Sequence, residues 1–336
     1  MRLSRLKWFA SFFLAAILTA PAWAATPALP GTVNYVEGQA AIGGQALSAS
    51  SVGSADLQTG QTLTTQAGKA EILLTPGVFF RLGDNSAATM VSPRLTNTEV
   101  NLSKGQAIVE VAEIHNDNLL RVQQDGATTQ MLKTGVYGFD ADSGDVRVFK
   151  GEAMVQDGDQ QVKVKGGHEL NVNNTGKLKT VKFDQAAYTQ SDLYRFSNLR
   201  SQYLAEANVD AAGGYVGGLG WYGGGWYWDP FFTAYTWIPG DGIFYSPFGW
   251  GFYSPLWVGY SPFYPRFYPY GYRGGARPFV AGHYGTTYAH PGYFGHPASG
   301  FRGPSHASVA APHFGVMSGG FRGGGGGFHG GGGFHR

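Results

Sequence analysis

The chain has 336 residues, of which 43% are hydrophobic and only 14% are charged, and its formal net charge is +2. It contains no cysteine, which excludes a disulfide framework, thiolate catalysis and a lipid-bearing cysteine. A net charge this small provides no strong attraction to nucleic acid or to an anionic membrane surface.

Residues 1–24 have the pattern of a secretory signal peptide. Three basic residues precede an apolar stretch from Trp8 to Ala20, and Ala22-Trp23-Ala24 fits the small-x-small cleavage rule. The apolar stretch is too short for a membrane-spanning helix. We therefore expect an exported chain that begins at Ala25 and resides in the periplasm or at the cell surface. An uncleaved anchor is the alternative.

Residues 31–183 are predicted to form an all-β domain. Short segments with a two-residue period follow one another, as where Val146 and Val148 alternate with Arg147 and Phe149. No helical segment separates them, which excludes a parallel α/β sheet. The expected fold is a twisted, β-solenoid-like or rolled domain of short strands.

A recurring corner divides this domain. Glu37–Ala40, Lys104–Ala107 and Lys150–Ala153 share a charged residue, a glycine, Gln or Glu, and an alanine, each opening a strand. The irregular spacing indicates a recurring turn and not a strict repeat array. We expect the glycine of each corner to adopt a positive φ.

The segment "VFFRL" places unlike residues on two faces of one strand. If Val78, Phe80 and Leu82 point inward, then Phe79 and Arg81 must point outward. An outward Phe beside an outward Arg is either a partner-binding site or part of a second covered face.

The C-terminal half changes character. Residues 190–208 have helical periodicity and predict a single amphipathic helix docked on the sheet. Its common face holds Leu193, Phe196, Leu199 or Arg200, and Tyr203 or Leu204. Residues 211–270, the aromatic segment, are rich in Gly and aromatic residues and could order locally or against the β domain. Its tryptophans form a candidate aromatic platform: Trp221, Trp226, Trp228, Trp237, Trp250 and Trp257. Residues 271–336 are rich in Gly, His, Arg and Phe, and we expect them to be disordered.

The β region resembles the FecR domain of bacterial envelope signalling proteins. Ala67–Ala70, Gly77, Arg81-Leu82 and Asn85-Ser86 match that family's turn and core pattern. The resemblance implies a β domain that works outside the inner membrane. It also favours a covered face for Phe79, because the Gly-aromatic-Arg-Leu stretch recurs as architecture in the family. The chain departs from signal-relaying FecR proteins, since it lacks their cytoplasmic helical segment and spanning helix.

Candidate chemistry is sparse. No nucleophile motif or phosphate-binding glycine loop occurs, and His168-Glu169 lacks the second histidine of a zinc-protease helix. Asp140, Asp142 and Asp145 have the close spacing that Ca²⁺ favours but lack the other ligands of an EF-hand, so a hairpin turn is the preferred interpretation. The sequence predicts no enzyme activity and no cofactor.

We therefore expect a non-enzymatic, exported FecR-type binding or scaffold module that engages another envelope protein. The first alternative is a structural or adhesive surface protein that acts through the aromatic segment, which could stack on polysaccharide. The second is a metal-responsive sensor. Nucleic acid is not an expected partner, although Arg-Gly-Gly runs occur in the last 70 residues, because export removes RNA from reach.

Overall fold

A rolled β-sheet, a long helix and two small hairpins make up the computed structural model, which describes residues 28–264 except 175 and 219. The expectations for residues 1–24 and 271–336 lie outside the described residues. The mostly β fold with a single long helix, predicted from the sequence, is confirmed.

Fifteen short strands form the roll. They are β1 Val33–Ile42, β2 Gln45–Ala46, β3 Thr62–Leu73, β4 Val78–Leu82, β5 Ala87–Arg94, β6 Asn97–Lys104, β7 Gln106–Val111, β8 Leu119–Gln124, β9 Ala127–Met131, β10 Gly135–Asp140, β11 Asp145–Lys150, β12 Glu152–Asp157, β13 Gln160–Lys165, β14 His168–Asn171 and β15 Val181–Lys182. Short 3-10 turns at Ala49–Ser51 and Val258–Tyr260 complete the loops.

The fifteen strands pair in one continuous order, β13-β12-β9-β8-β6-β5-β3-β4-β7-β10-β11-β14-β15, with β1 beside β3 and β2 beside β1. Neighbours are antiparallel except for the parallel pair β6 and β8. The long strand β3 turns the corner between the two halves, because Thr62–Thr64 pair with β5 whereas Ala70–Leu73 pair with β4. The first strand of this order, β13, approaches β11 and β14 near its other end, so the sheet curls back on itself.

The main core fills the inside of the roll. Val78, Phe80 and Leu82 are fully buried there with Ile72 and Val109, which confirms the inward assignment of these β4 residues. Two-residue periodicity places alternate side chains inside, as expected for pleated strands. At roughly 25 cal/mol for each Å² of apolar area removed from water, this interior is the main stabilising element of the domain.

The three predicted corners have the expected backbone. Gly38, Gly105 and Gly151 adopt φ values of 63°, 71° and 99°. A side chain at Gly105 would also collide with its neighbour, since an added Cβ would lie 2.8 Å from the Cα of Ser86. Glycine is required here for both backbone conformation and space.

The outer face of the roll is covered by a second layer. It consists of the short helix α1 Gln185–Thr189, the long helix α2 Asp192–Gly213, and two hairpins, β16 Gly225–Asp229 with β17 Ala234–Ile238 and β18 Ile243–Tyr245 with β19 Gly251–Tyr253. Helix α2 contacts β7, β16, β17 and β19, so it lies between the sheet and the hairpins. Among the described residues, no helix combines the length and apolarity needed to cross a membrane.

The face that α2 buries differs in part from the expectation. Leu193 and Leu204 are buried as predicted, but Phe196 is only partly buried and Leu199 is 41% exposed. Arg200, the predicted alternative to Leu199, is buried, and the rest of the buried face is rich in small and polar residues such as Ser197, Ser201 and Asn208. Apolar spacing alone could not identify this face, because the helix packs through hydrogen bonds and ion pairs as much as through apolar contact.

Candidate functional site

Four buried charged side chains lie between the outer sheet face and α2. Glu71 of β3 is directly opposite Arg81 of β4, and Glu110 lies on the neighbouring strand β7. Arg81 donates from Nε to Glu71 Oε2 and from Nη1 to Glu110 Oε2, both across 2.7 Å. Arg200 of α2 donates to Glu71 Oε1 across 2.9 Å, and Ser201 Oγ donates to Glu110 Oε1 across 2.6 Å. We call Glu71, Arg81, Glu110 and Arg200 the interlayer ion network.

The interlayer ion network is balanced in charge and nearly dry. Glu71, Arg81 and Glu110 are fully buried and Arg200 is 2% exposed. Burial opposes the charge on Glu71, but Arg200 and Arg81 outweigh this and lower the pKa of Glu71 below its usual value. Burial likewise opposes the charge on Arg81, whereas Glu110 and Glu71 raise its pKa. The shifts at Glu71 and Arg81 thus both favour the charged form, and removal of either side chain leaves the other charge buried without one of its partners.

Two asparagines attach the hairpins to this layer by imitating strand pairing. Asn34 accepts from the Tyr235 N–H across 2.7 Å and donates to the Tyr235 carbonyl across 3.0 Å. Asn208 of α2 donates to the carbonyls of Trp237 and Tyr253, both across 3.0 Å, and accepts from the Tyr253 N–H across 2.8 Å. Because an amide offers both a donor and an acceptor, each asparagine satisfies backbone groups that would otherwise be buried without partners.

Phe79 and Arg81 are buried, and this corrects their assignment as a partner-binding site. Phe79 packs edge-on against Trp226, with ring centroids 5.2 Å apart, and lies 6.3 Å from the Phe252 ring. It belongs to an apolar cluster with Trp237. The preferred sequence interpretation, a second covered face, describes this arrangement, and the cover consists of α2 and the aromatic segment.

The six tryptophans are mainly packing residues. Trp237 is fully buried, and Trp226, Trp228 and Trp250 pack partly buried against the Phe79 cluster. Trp221 is half-buried, and Trp257 is the most open of the set at 40% exposed. The candidate aromatic platform is thus largely a covering layer, because Trp226, Trp228, Trp237 and Trp250 pack on the outer sheet face.

The acidic segment near Asp140 forms a hairpin turn between β10 and β11. Asp140 accepts from the Asp142 N–H across 3.2 Å, and Asp142 accepts from the Gly105 N–H across 3.0 Å. Asp145 accepts from Arg147 across 2.5 Å. Among the described residues, no group of three or more His, Asp or Glu side chains is arranged to hold a metal ion.

A pair of carboxyl groups, of which Asp229 is buried and Asp210 is partly buried, joins α2 to the first hairpin. Asp229 is 1% exposed, and its Oδ1 accepts from the backbone N–H groups of Phe231 and Phe232 across 2.8 and 2.9 Å. Its side chain also forms a hydrogen bond with Asp210 of α2, which requires one proton between the two groups. Burial and the neighbouring Asp210 raise the pKa of Asp229 to about 7, against the opposing effect of the two N–H donors.

Sequence reasoning missed most of this polar layer. A usable signal was present, because Glu71 and Glu110 are single acids at the centres of apolar strands, between Ala70 and Ile72 and between Val109 and Val111. Buried acids of this kind require a cationic partner. Nothing in the local sequence identifies Arg200 as that partner, since it lies on a helix 129 residues after Glu71.

Comparison with known proteins agrees with the resemblance of the β region to a FecR domain. Residues 61–154 match the model of the family described as "FecR protein". This part of the chain is a FecR domain. The matched FecR residues run from the start of β3 into β12, so the domain contributes Glu71, Arg81 and Glu110, whereas Arg200 comes from outside it.

Solved structures provide two similar chains, both crystal structures of a "putative anti-sigma factor" from Parabacteroides distasonis. The first is 16% identical with a TM-score of 0.34, covering 39% of this chain and 65% of that one. The second is 17% identical with a TM-score of 0.33, covering 38% of this chain and 63% of that one. The chain thus spans less than two thirds of either structure. A search of the curated proteins finds no match to the sequence.

Proposed function

We propose that the chain is an exported, non-enzymatic FecR-type module that binds another envelope protein, as the extracytoplasmic part of a signalling system. The observation that supports this most is that a FecR domain is present and that its outer face is closed by the chain's own helix and hairpins. A partner must then use another surface, and the edges of the rolled sheet are the natural one.

The β13 edge is the strongest candidate for the binding surface. Strand β13 pairs with β12 on one side and ends the sheet order on the other. Gln161, Lys163 and Lys165 are exposed along it, and the charged lysines protect the edge from non-specific strand pairing. Strand addition by a partner would use the free backbone groups for affinity and these side chains for specificity.

The test is capture of envelope proteins by the full mature chain. Lys163→Gln with Lys165→Gln should abolish capture of an identified partner while changing the melting temperature little, because both side chains are exposed. The matched control, Arg94→Gln with Lys104→Gln, changes charge equally at exposed positions on β5 and β6, away from β13. Equal loss in both double variants would contradict the β13 assignment.

Export is the second element of the proposal. The basic, apolar and small-x-small pattern of residues 1–24 supports cleavage after Ala24. Amino-terminal sequencing of protein recovered from the envelope should begin at Ala25. Mature protein that retains Met1 would contradict it.

A second candidate function, surface adhesion or self-association, is supported by exposed aromatic side chains. Tyr222, Phe231 and Tyr260 are 82%, 72% and 72% exposed, and Leu256 is 80% exposed. Large apolar side chains in the open indicate contact with another surface, either polysaccharide or a second copy. Sedimentation over a hundredfold range of protein concentration, with and without envelope polysaccharide, separates this function from binding at β13.

A further inference from the structure

Strand β13 has one edge with unpaired backbone groups. Its residues, Gln160–Lys165, pair with β12, and within the described part of the chain their backbone groups bond to no other strand. Bonded and non-bonded pairs alternate along an antiparallel pair, so every second residue of β13 directs its N–H and C=O away from β12. At the start of the strand the Leu178 N–H donates to Gln160 Oε1 across 2.9 Å, whereas Lys163 and Lys165 further along are exposed. The second half of β13 therefore offers donors and acceptors to an added strand.

Lysine side chains give this half of β13 an excess of positive charge. Lys165 lies directly opposite Glu152 of β12. The Glu152 carboxylate lies 3.1 Å from Lys133 Nζ and 4.0 Å from Lys163 Nζ. The hydrogen bond from Lys133 lowers the pKa of Glu152 below its usual value, and the charges of Lys163 and Lys165 act in the same direction. One carboxylate thus faces three lysines, which leaves this part of the edge positively charged.

The positions of the side chains specify the pattern of a matching strand. Lys163 and Lys165 lie on the outer face, whereas Val164 is fully buried on the inner face and Val162 is partly buried there. Side chains directly opposite each other in an antiparallel pair have Cβ atoms about 4.5–5.5 Å apart, close enough for an ion pair. Carboxylates at two alternate positions of an added strand would therefore face the two lysines. The residue between them would face inward beside Val164, where an apolar side chain fits.

Other occupants suit this edge less well. A second copy of β13 would bring the lysines of both strands onto one face of the pair, where like charges repel. A polyanion without a peptide backbone would satisfy the charge but would leave the unpaired N–H and C=O groups of β13 without partners. An acidic strand satisfies both.

We propose that β13 binds a strand of another protein in which acidic residues alternate with apolar ones, with two carboxylates paired to Lys163 and Lys165. This inference rests on the strand addition proposed above and names the chemistry of the partner. The turn at the other end of β13 carries Asp157 and Asp159, which repel acids placed there. The register that sets the acids opposite the two lysines is therefore favoured.

The test uses the full mature chain and short capped synthetic peptides. A peptide in which Glu alternates with Val should bind, and it should slow amide hydrogen exchange in β13. A peptide of the same composition with Glu and Val in separate blocks should bind more weakly, because it would place a carboxylate on the inner face beside Val164. A peptide in which Lys alternates with Val should not bind.

Matched variants locate the charge pairing. Lys163→Gln with Lys165→Gln should raise the dissociation constant of the Glu–Val peptide on the order of tenfold, as expected for the loss of two cross-strand charge pairs. Arg94→Gln with Lys104→Gln makes an equal charge change at exposed positions on β5 and β6 and should leave the dissociation constant unchanged.

Four results would overturn the proposal. The Glu–Val peptide could fail to bind, the alternating and blocked peptides could bind equally, the two double variants could lose affinity equally, or binding could leave hydrogen exchange in β13 unchanged. None of these results depends on capture of an envelope protein. If Lys163→Gln with Lys165→Gln abolished capture while the wild-type chain ignored the Glu–Val peptide, β13 would remain the partner site and the acidic strand would be wrong.

Discussion

Arg200 of α2 donates to Glu71 of β3 across 2.9 Å in a buried layer, and this contact ties the helix to the FecR domain. The same carboxylate accepts from Arg81 across 2.7 Å, so Glu71 is shared between the domain and the element that covers it. Breaking a buried ion pair by removing one partner typically costs about 3–5 kcal/mol. The covering layer is therefore part of the domain's stability and not an appended segment.

The first prediction tests this coupling. Arg200→Met removes the charge but keeps most of the side-chain length, so it should lower the free energy of unfolding by about 3–5 kcal/mol in a urea titration, because Glu71 loses one of its two cations. Arg195→Met, at an exposed position on the same helix, should change it by less than about 0.5 kcal/mol. Similar losses of stability in both variants would show that the interlayer ion network makes no special contribution to the free energy of unfolding.

The sequence alone predicted which side chains pack inside the roll, but it did not predict which residues close the outer face. Alternation identified Phe80 and Leu82 as core residues because an apolar core requires only periodicity and size. The outer face is closed by Arg200 and Asn208, whose partners lie far away in sequence. Polar packing of this kind depends on three-dimensional geometry, which local patterns do not encode.

The second prediction distinguishes the two faces of β4. Phe80→Ala and Phe79→Ala should each cost about 3–5 kcal/mol, because both side chains are fully buried. Only Phe79→Ala should red-shift the tryptophan emission of the folded protein, since Phe79 contacts Trp226 and the inner core holds no tryptophan. Lys163→Ala, on the exposed edge, should change stability by less than about 0.5 kcal/mol. Equal emission shifts from both Phe variants would contradict the two-layer arrangement.

The same arrangement changes how the aromatic segment should be studied. A fragment that ends at Asp210 would expose Phe79 and leave Asn34 without the Tyr235 backbone, so loss of binding by that fragment would not locate a partner site. Point substitutions in the full chain avoid this ambiguity. The sequence allowed for docking of the aromatic segment, but it could not specify which hydrogen bonds attach it.

The third prediction concerns the corner glycines. Gly105→Ala combines a positive φ of 71° with a contact of 2.8 Å to the Cα of Ser86, so it should destabilise the domain by well over 1 kcal/mol. Gly158→Ala is the matched control, because its φ is 52° and an added Cβ meets nothing within 4 Å. Gly158→Ala should destabilise the domain only through the unfavourable backbone conformation, by about 1 kcal/mol. Thermal melts of the two variants should therefore differ, and identical melting temperatures would show that Ser86 moves aside without cost.

The fourth prediction concerns pH and the Asp229–Asp210 pair. In the folded chain the pKa of Asp229 is raised to about 7, from an ordinary value of 3.8, because burial and Asp210 disfavour its charge. Tyr203 of α2 interacts electrostatically with Asp229, and also with Arg200 and Glu206 on its own helix. Between the two pKa values the folded state holds more protons than the unfolded state. The stabilising contribution is therefore complete below pH 4 and is lost as the pH rises toward 7, with a slope of at most about 1.4 kcal/mol for each pH unit.

Asp229→Asn isolates this effect. The amide keeps an acceptor for the Phe231 and Phe232 N–H groups and gives Asp210 a permanent donor, so no proton has to be retained at neutral pH. We expect urea titrations of the wild-type chain to show a fall in stability between pH 5 and pH 8, and the fall to be much smaller in Asp229→Asn. The variant should then be the more stable protein at pH 8, where the wild-type chain carries the buried charge of Asp229 beside Asp210. Parallel pH profiles for the two proteins would contradict the shared proton, and an Asp159→Asn control in an exposed turn should follow the wild-type profile.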